Sequence, residues 1–275
     1  MTDDAGQAEK ARRFLELHQP GRPLLLPNPW DRGSARLLAW LGFEALATTS
    51  SGFAATLGRL DGSVTRSEAI GHAADIAGTT ELPVSADLES GFADDPDGVA
   101  ETLRLALQAG LAGCSVEDAT GRPDAPIHPA GLAAERVRAA AEAAHRGPVR
   151  LVLTARAENY LHGRPDLADT IARLQAYQEA GADVLYAPGL RRLEDIGRLV
   201  AAVDRPVNVL ALPGAPPVAE LAAVGVSRVS VGGAFAFAAL GAVVEAATEL
   251  RQAGTYSFWD RAGPGADAAR SAFGP

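Results

Sequence analysis

Between residues 24 and 250 the chain passes eight times from a short apolar run into a longer, alanine-rich stretch with helical spacing. The apolar runs fall at 24–27, 44–48, 83–87, 113–118, 149–156, 182–188, 206–212 and 227–233, and the helical stretches that follow at 31–41, 67–78, 96–109, 130–145, 166–180, 193–202, 217–224 and 234–250. Strands this apolar need cover on both faces, and a helix after every strand supplies it while keeping the strands parallel. Eight such units are the content of a (β/α)8 TIM barrel. Ala109-Gly110-Leu111 and Ala180-Gly181-Ala182 fit helix ends at which glycine takes the left-handed cap before the next strand. A doubly wound open sheet is the alternative, but no GxGxxG opens the first helix, and polar residues close several strands instead of gathering at one crossover.

A single domain over 1–275 is expected, with the barrel core at about 24–250. The polar segment before it reads as a frayed leader. Residues 251–275 read as a short packing arm or a loose terminus. The last barrel helix, within GGAFAFAALGAVVEAATEL, is apolar enough to pack on its own barrel or on a neighbour's.

Composition removes several chemistries. Lys10 is the only lysine and lies in the leader, so Schiff-base, pyridoxal-phosphate and phosphate-loop mechanisms lack the residue they need. Cys114 is the only cysteine, sits in an apolar run, and reads as a small core residue. A formal net charge of -9 disfavours a nucleic-acid surface. No signal peptide or uninterrupted membrane span is evident, so a cytoplasmic protein is expected.

In a barrel the carboxyl ends of the strands share one mouth, and there the acids collect. Asp87 and Glu89 end the third strand, Glu117 and Asp118 the fourth, and Asp61 lies in the loop after the second. Oxygen donors of this kind suit Mg²⁺, or Mn²⁺, and a cation would relieve their mutual repulsion. Helix caps and solvated turns are the other reading of the same acids. Arg156 ends the fifth strand, placed to grip a substrate carboxylate, to stabilise developing charge, or simply to pair with Glu158. Ser51 and Gly52 offer a hydroxyl and close backbone approach. Asn208 and Ser230 are further polar candidates on the last two strands, and Tyr160 and His162 lie beyond Arg156.

Taken in order, PNPWDRGSARLL, SGF, SADLESGF, SVEDATG and LTARAEN resemble the isocitrate lyase and phosphoenolpyruvate mutase superfamily over roughly 24–250. The resemblance implies that Ser51 and Gly52, with Phe53 beside them, contact substrate oxygens. It implies that Asp87 approaches Mg²⁺ most directly, that Asp61, Glu89 and Glu117 act directly or through bound water, and that Arg156 is the family arginine. It also implies a small 2-oxo or 2-hydroxy acid as ligand and a homodimer or homotetramer that exchanges its last barrel helix.

Two departures narrow the chemistry. The lyases resemble one another in a K[KR]CGH loop and the mutases in a lysine- and asparagine-bearing gate, whereas this stretch reads EDATGRPDAPIHP. His128 within it is either a replacement proton carrier or a turn residue. Arg122 either neutralises substrate or pairs with Asp124. Decarboxylation of an oxaloacetate-like acid through an enolate fits best, since loss of CO₂ needs no base to remove an alcohol proton. A 2-methylisocitrate lyase-like cleavage, C–P mutase or hydrolase chemistry, and a non-catalytic carboxylate-binding or assembly protein are the alternatives.

Overall fold

Eight parallel strands form one sheet in the order β1-β8-β7-β6-β5-β4-β3-β2 in a computed structural model that describes residues 4–274. They are β1 Leu24–Leu26, β2 Leu46–Ala47, β3 Val84–Asp87, β4 Gly113–Glu117, β5 Val152–Arg156, β6 Val184–Tyr186, β7 Val207–Leu210 and β8 Arg228–Ser230. The seam between β1 and β2 is bridged by Ala47 N–H donating to Pro27 O at 3.1 Å, which completes the (β/α)8 barrel. Asn28 reinforces the seam. Its Nδ2 donates to Thr48 O at 2.9 Å, and its Oδ1 accepts from Val231 and Gly232 N–H at 3.0 and 2.9 Å.

The barrel helices are α2 Arg32–Trp40, α4 Arg66–Ala77, α5 Pro96–Gln108, α6 Ala130–His145, α7 Leu167–Glu179, α8 Leu193–Ala201, α9 Val218–Ala223 and α10 Ala234–Ala253. Their starts are encoded locally. Asp31 and Thr65 open capping boxes with Ser34 and Glu68, and Asp95 caps a helix that begins with Pro96. Gly110 and Gly181 take φ of 78° and 109°, the left-handed conformation expected of the two AG turns.

Three helices lie outside the expected pattern. Residues of the supposed leader form α1, Asp4–Glu16, which buries Gln7, Ala11 and Phe14. Gln7 Nε2 donates to Leu107 O and Leu111 O at 2.9 Å each, and Lys10 Nζ donates to Thr80 O at 3.2 Å, so α1 is docked, not frayed. A short α3, Ser50–Thr56, occupies what reads as a turn after β2. The tail forms α11, Trp259–Phe273, packed on α2, which corrects the loose-terminus reading.

Outward-facing Val116, Leu153, Leu185, Val209 and Val229 pack beneath the helices as one core, in which Cys114 is fully buried. Among the barrel helices the exception to this close packing is α10. Of its twenty residues only Ala236 is buried, while Phe237, Leu240, Val243 and Val244 face outward. Among the described residues no helix is long and apolar enough to cross a membrane.

Candidate active site

Period-two alternation turns Ser85 and Asp87 of β3, Ser115 and Glu117 of β4, and Thr154 and Arg156 of β5 toward the barrel axis. Tyr186, Asn208, Arg228 and Ser230 continue the interior from the remaining strands. Two adjoining cavities open above these residues and share Ser50, Asp61 and Arg156. The first, about 190 Å³, is lined by Ser51, Asp87, Tyr186, Asn208, Arg228 and Ser230 among others. The second, about 490 Å³, reaches outward past Glu89, Glu117, Glu158 and His162.

Arg156 stands at their junction. Its Nη1 lies 2.9 Å from Asp87 Oδ1, and its Nη2 lies 3.0 Å from Glu117 Oε2 and 2.8 Å from Glu158 Oε1. Register explains the convergence, since Glu117 pairs with Arg156 and Arg156 with Tyr186 on adjacent strands. Burial works against the charge of Arg156, but Glu117, Glu158 and Asp87 together hold its guanidinium well above the ordinary value. One cation does not offset three carboxylates. Burial therefore leaves Glu117 and Glu158 above the usual carboxylate range, and burial with the charges of Asp87 and Asp61 pushes Glu89 up to about 7.

The acids are held by backbone that their own sequence does not announce. Asp87 accepts from Ser50 N–H and Oγ–H at 3.2 and 3.0 Å, and its own N–H donates to Thr48 Oγ1 at 2.9 Å. Glu89 and Phe92 take φ of 48° and 55°, a left-handed conformation uncommon outside glycine. The buried Arg136 of α6 secures this turn by donating to Ser90 O, to Ala93 O at 2.9 Å and to Glu117 O at 3.1 Å. Asp118 faces away from the cavities and accepts from Glu158 N–H, Arg173 and the Tyr177 hydroxyl at 2.8, 3.0 and 2.6 Å.

The other expected residues divide. Ser51 lines the first cavity, and a Cβ on Gly233 would crowd its hydroxyl. Gly52 is buried one residue on, and a Cβ there would lie 2.5 Å from Thr49 Cγ2. Phe53 lines neither of these cavities and stacks on His72 with ring centroids 3.9 Å apart. Asn208 donates to Ser230 Oγ at 2.9 Å inside the first cavity. Asp61 is exposed at the rim of both cavities. His128 is 2% exposed, lines neither cavity, and lies 3.7 Å from Asp94. Arg122 pairs with Asp94 at 2.7 Å, not with Asp124, and thereby ties the EDATGRPDAPIHP loop to the β3–α5 loop. Tyr160 is partly buried outside the cavities. Sequence reasoning missed Tyr186 and Arg228 as lining residues. Their only signal was strand parity counted from Arg156 and Ser230.

Fold and site define a (β/α)8 protein that gathers carboxylates and one arginine around a small polar mouth, the form of a barrel enzyme acting at its strand ends. Residues 14–251 match the family model described as phosphoenolpyruvate phosphomutase, and the chain belongs to that family. It is 36% identical over 80% of its length to an uncharacterized protein of Mycobacterium tuberculosis, covering 81% of that protein. It is 32% identical to an oxaloacetate decarboxylase of Chromohalobacter salexigens, covering 81% of this chain and 78% of that one. A crystal structure named as a candidate lyase/mutase from Burkholderia cenocepacia superimposes with a TM-score of 0.95, at 54% identity over 98% of each chain.

Proposed function

We propose that the protein cleaves a small 2-oxo or 2-hydroxy dicarboxylate through an enolate, with oxaloacetate decarboxylation the reaction its site suits best. The observation that carries this reading is the placement of Arg156 against Asp87, Glu117 and Glu158 at 2.8–3.0 Å, where two cavities meet. Similarity to the oxaloacetate decarboxylase of Chromohalobacter salexigens supports the same choice. So does a loop after the Glu117-Asp118 pair that contains neither cysteine nor lysine.

The donor chemistry fits Mg²⁺, or Mn²⁺ in its place. Asp87, Glu89, Glu117 and Asp61 present only oxygen, and burial, with the charges of Asp87 and Asp61, pushes Glu89 up to about 7, a cost that a bound cation would lessen. Among the described residues no group of three acids, histidines or cysteines forms a ready ligand cage. Mg²⁺ does not require one, because it keeps several waters and takes one or two carboxylates plus substrate oxygens. Asp87 with Glu117 and Glu89 would hold the ion, and Asp61 would meet its waters. When bound, such an ion polarises the 2-oxo group and stabilises enolate charge.

The chain supplies the rest. Arg156 can trade a carboxylate of its own for one on the substrate, keeping a bidentate charged contact while the bond breaks. The Ser51 hydroxyl faces the same space and can donate to a substrate oxygen. The first cavity, about 190 Å³, has room for an acid of a few carbons. The outward-facing apolar surface of α10 supports a homodimer in which that helix packs on the partner, and a homotetramer would pair two such dimers.

The test is direct detection of CO₂ and keto acid from oxaloacetate, with and without Mg²⁺ or Mn²⁺. Metal-dependent release abolished by Arg156→Gln is the expected result. If oxaloacetate is inert while 2-methylisocitrate or phosphonopyruvate is turned over, the lyase or mutase alternative replaces it. Turnover of none of these leaves a carboxylate-binding protein.

A further inference from the structure

Two groups in the barrel interior have no task in the reading above, the phenol of Tyr186 and the guanidinium of Arg228. Tyr186 closes β6 and lines the first cavity, although only 7% exposed. Arg156 lies over its ring, with the guanidinium carbon 5.2 Å from the centroid, so the phenol shares a neighbour with the carboxylate cluster. Behind it runs a polar chain. Tyr186 pairs in register with Asn208 and shares the cavity lining with Ser230, Asn208 Nδ2 donates to Ser230 Oγ at 2.9 Å, and Arg228 Nε donates to Asn208 Oδ1 at 2.9 Å.

Arg228 is itself unusual. It is 4% exposed, and its remaining contacts are Thr154 Oγ1 and His18 Nε2, each at 3.1 Å. Burial, and then the charge of Arg228, push His18 down to about 3, so this partner is a neutral imidazole. A buried guanidinium whose hydrogen-bond partners are all neutral is costly, because its desolvation is not repaid by an anion. Such a cation favours any negative charge that develops nearby.

Enolate chemistry creates a need for a proton donor. Once a C–C bond has broken, the enolate carbon must take up a proton, and neither a gate cysteine nor a gate lysine is present to give it. His128 lies outside both cavities. We propose that Tyr186 is the proton donor that quenches the enolate, with Ser230, Asn208 and Arg228 as positioning residues behind it; this rests on the enolate reading above.

In the step itself the Tyr186 O–H bond breaks and its proton forms the new C–H bond. The enolate C=C supplies the electron pair, and the C–O bond returns to a carbonyl. The phenolate left behind has the cations of Arg156, over its ring, and Arg228 nearby to offset the carboxylates of Glu158 and Asp87. It regains a proton from water as product leaves. Burial pushes the phenol up to about 12, which keeps the donor protonated through the neutral range.

The experiment follows CO₂ and keto acid separately for the full chain with Mg²⁺ and oxaloacetate. Tyr186→Phe is expected to slow ketonisation on the protein by about 10²–10⁴-fold, the usual contribution of a positioned acid, so that keto acid lags behind CO₂ while released enol ketonises in water. CO₂ release should fall less, free enol should appear transiently by NMR, and affinity for oxalate, read by calorimetry, should stay within about threefold. Retained oxalate binding separates a lost proton donor from a misfolded site. Keto acid formed by Tyr186→Phe at the parent rate, or enol release caused by His162→Gln instead, overturns the proposal. If the parent protein leaves oxaloacetate intact, the decarboxylase reading fails, and exchange of pyruvate methyl hydrogens with D₂O becomes the readout. Exchange by the parent that Tyr186→Phe loses sustains Tyr186 as the proton carrier; no exchange by the parent, or equal exchange by both, overturns it.

Discussion

Glu89 carries a conflict between its backbone and its charge. Its φ of 48° places it in a conformation that glycine would adopt more easily, and its carboxyl, ordinarily at 4.5, sits at about 7. Between those pH values the folded chain keeps a proton that the unfolded chain has lost. Its contribution to stability is therefore present below the unfolded value and disappears as pH rises through about 7. Glu89→Gln cannot ionise, so in metal-free buffer its Tm is expected to fall less than the parent's between about pH 5 and about pH 8. Equal falls, measured by calorimetry, would place this pH-dependent loss of stability at another group. Asp87, Glu117 and Arg156 were legible because each closes a strand, where a barrel turns side chains into its mouth. Tyr186 and Arg228 were not, because ADVLYAP and SRVSVGG read as apolar runs until register shows which alternate positions face inward. Asp61, Ser51 and Phe53 lie close in sequence, yet only the first two line either of the two cavities that meet at Arg156.

Each strand–helix unit of the barrel was readable, since capping residues and glycine turns mark boundaries that periodicity leaves vague. Three helices escaped for different reasons. In α1 the buried positions 7, 11 and 14 have helical spacing, but polar residues around them hide so narrow a stripe. In α3 the hydroxyls and glycine of TTSSGF suggest a turn, and the Thr49 cap becomes visible only when Gly52 N–H is seen 3.3 Å from its hydroxyl. In α11 the residues Gly263, Pro264 and Gly265 disfavour a helix, and packing against α2 overrides them. The docking of α1 has an energetic consequence. Phe14 is fully buried, and a Cβ on Gly113 of β4 would come within 2.9 Å of its ring. Phe14→Ala is expected to cost about 3–5 kcal/mol. A shift in the urea midpoint with unchanged m would show it, and a change below about 1 kcal/mol would mean that α1 adds little to the barrel.

For the molecule as a whole, sheet order and closure followed from eight repeated units, but the outer surface did not. An amphipathic α10 packed on its own barrel and one packed on a partner share the same pattern. Its outward apolar side chains, with Val243 and Val244 62% and 65% exposed, distinguish the two. Light scattering is expected to give at least twice the 28.3 kDa chain mass, and Val243→Glu with Val244→Glu to return the monomer. A parent protein that is monomeric at micromolar concentration would refute helix exchange. The lone lysine bears on the whole molecule in another way. Lys10 is fixed on α1 beside Thr80 and Glu81, just ahead of β3 and so at the end of the barrel opposite the mouth, with its side chain 28% exposed. Amine-reactive chemistry thus meets only one internal side chain. A dye or a surface tether attached there would report on, or display, the protein with its mouth left facing open solution.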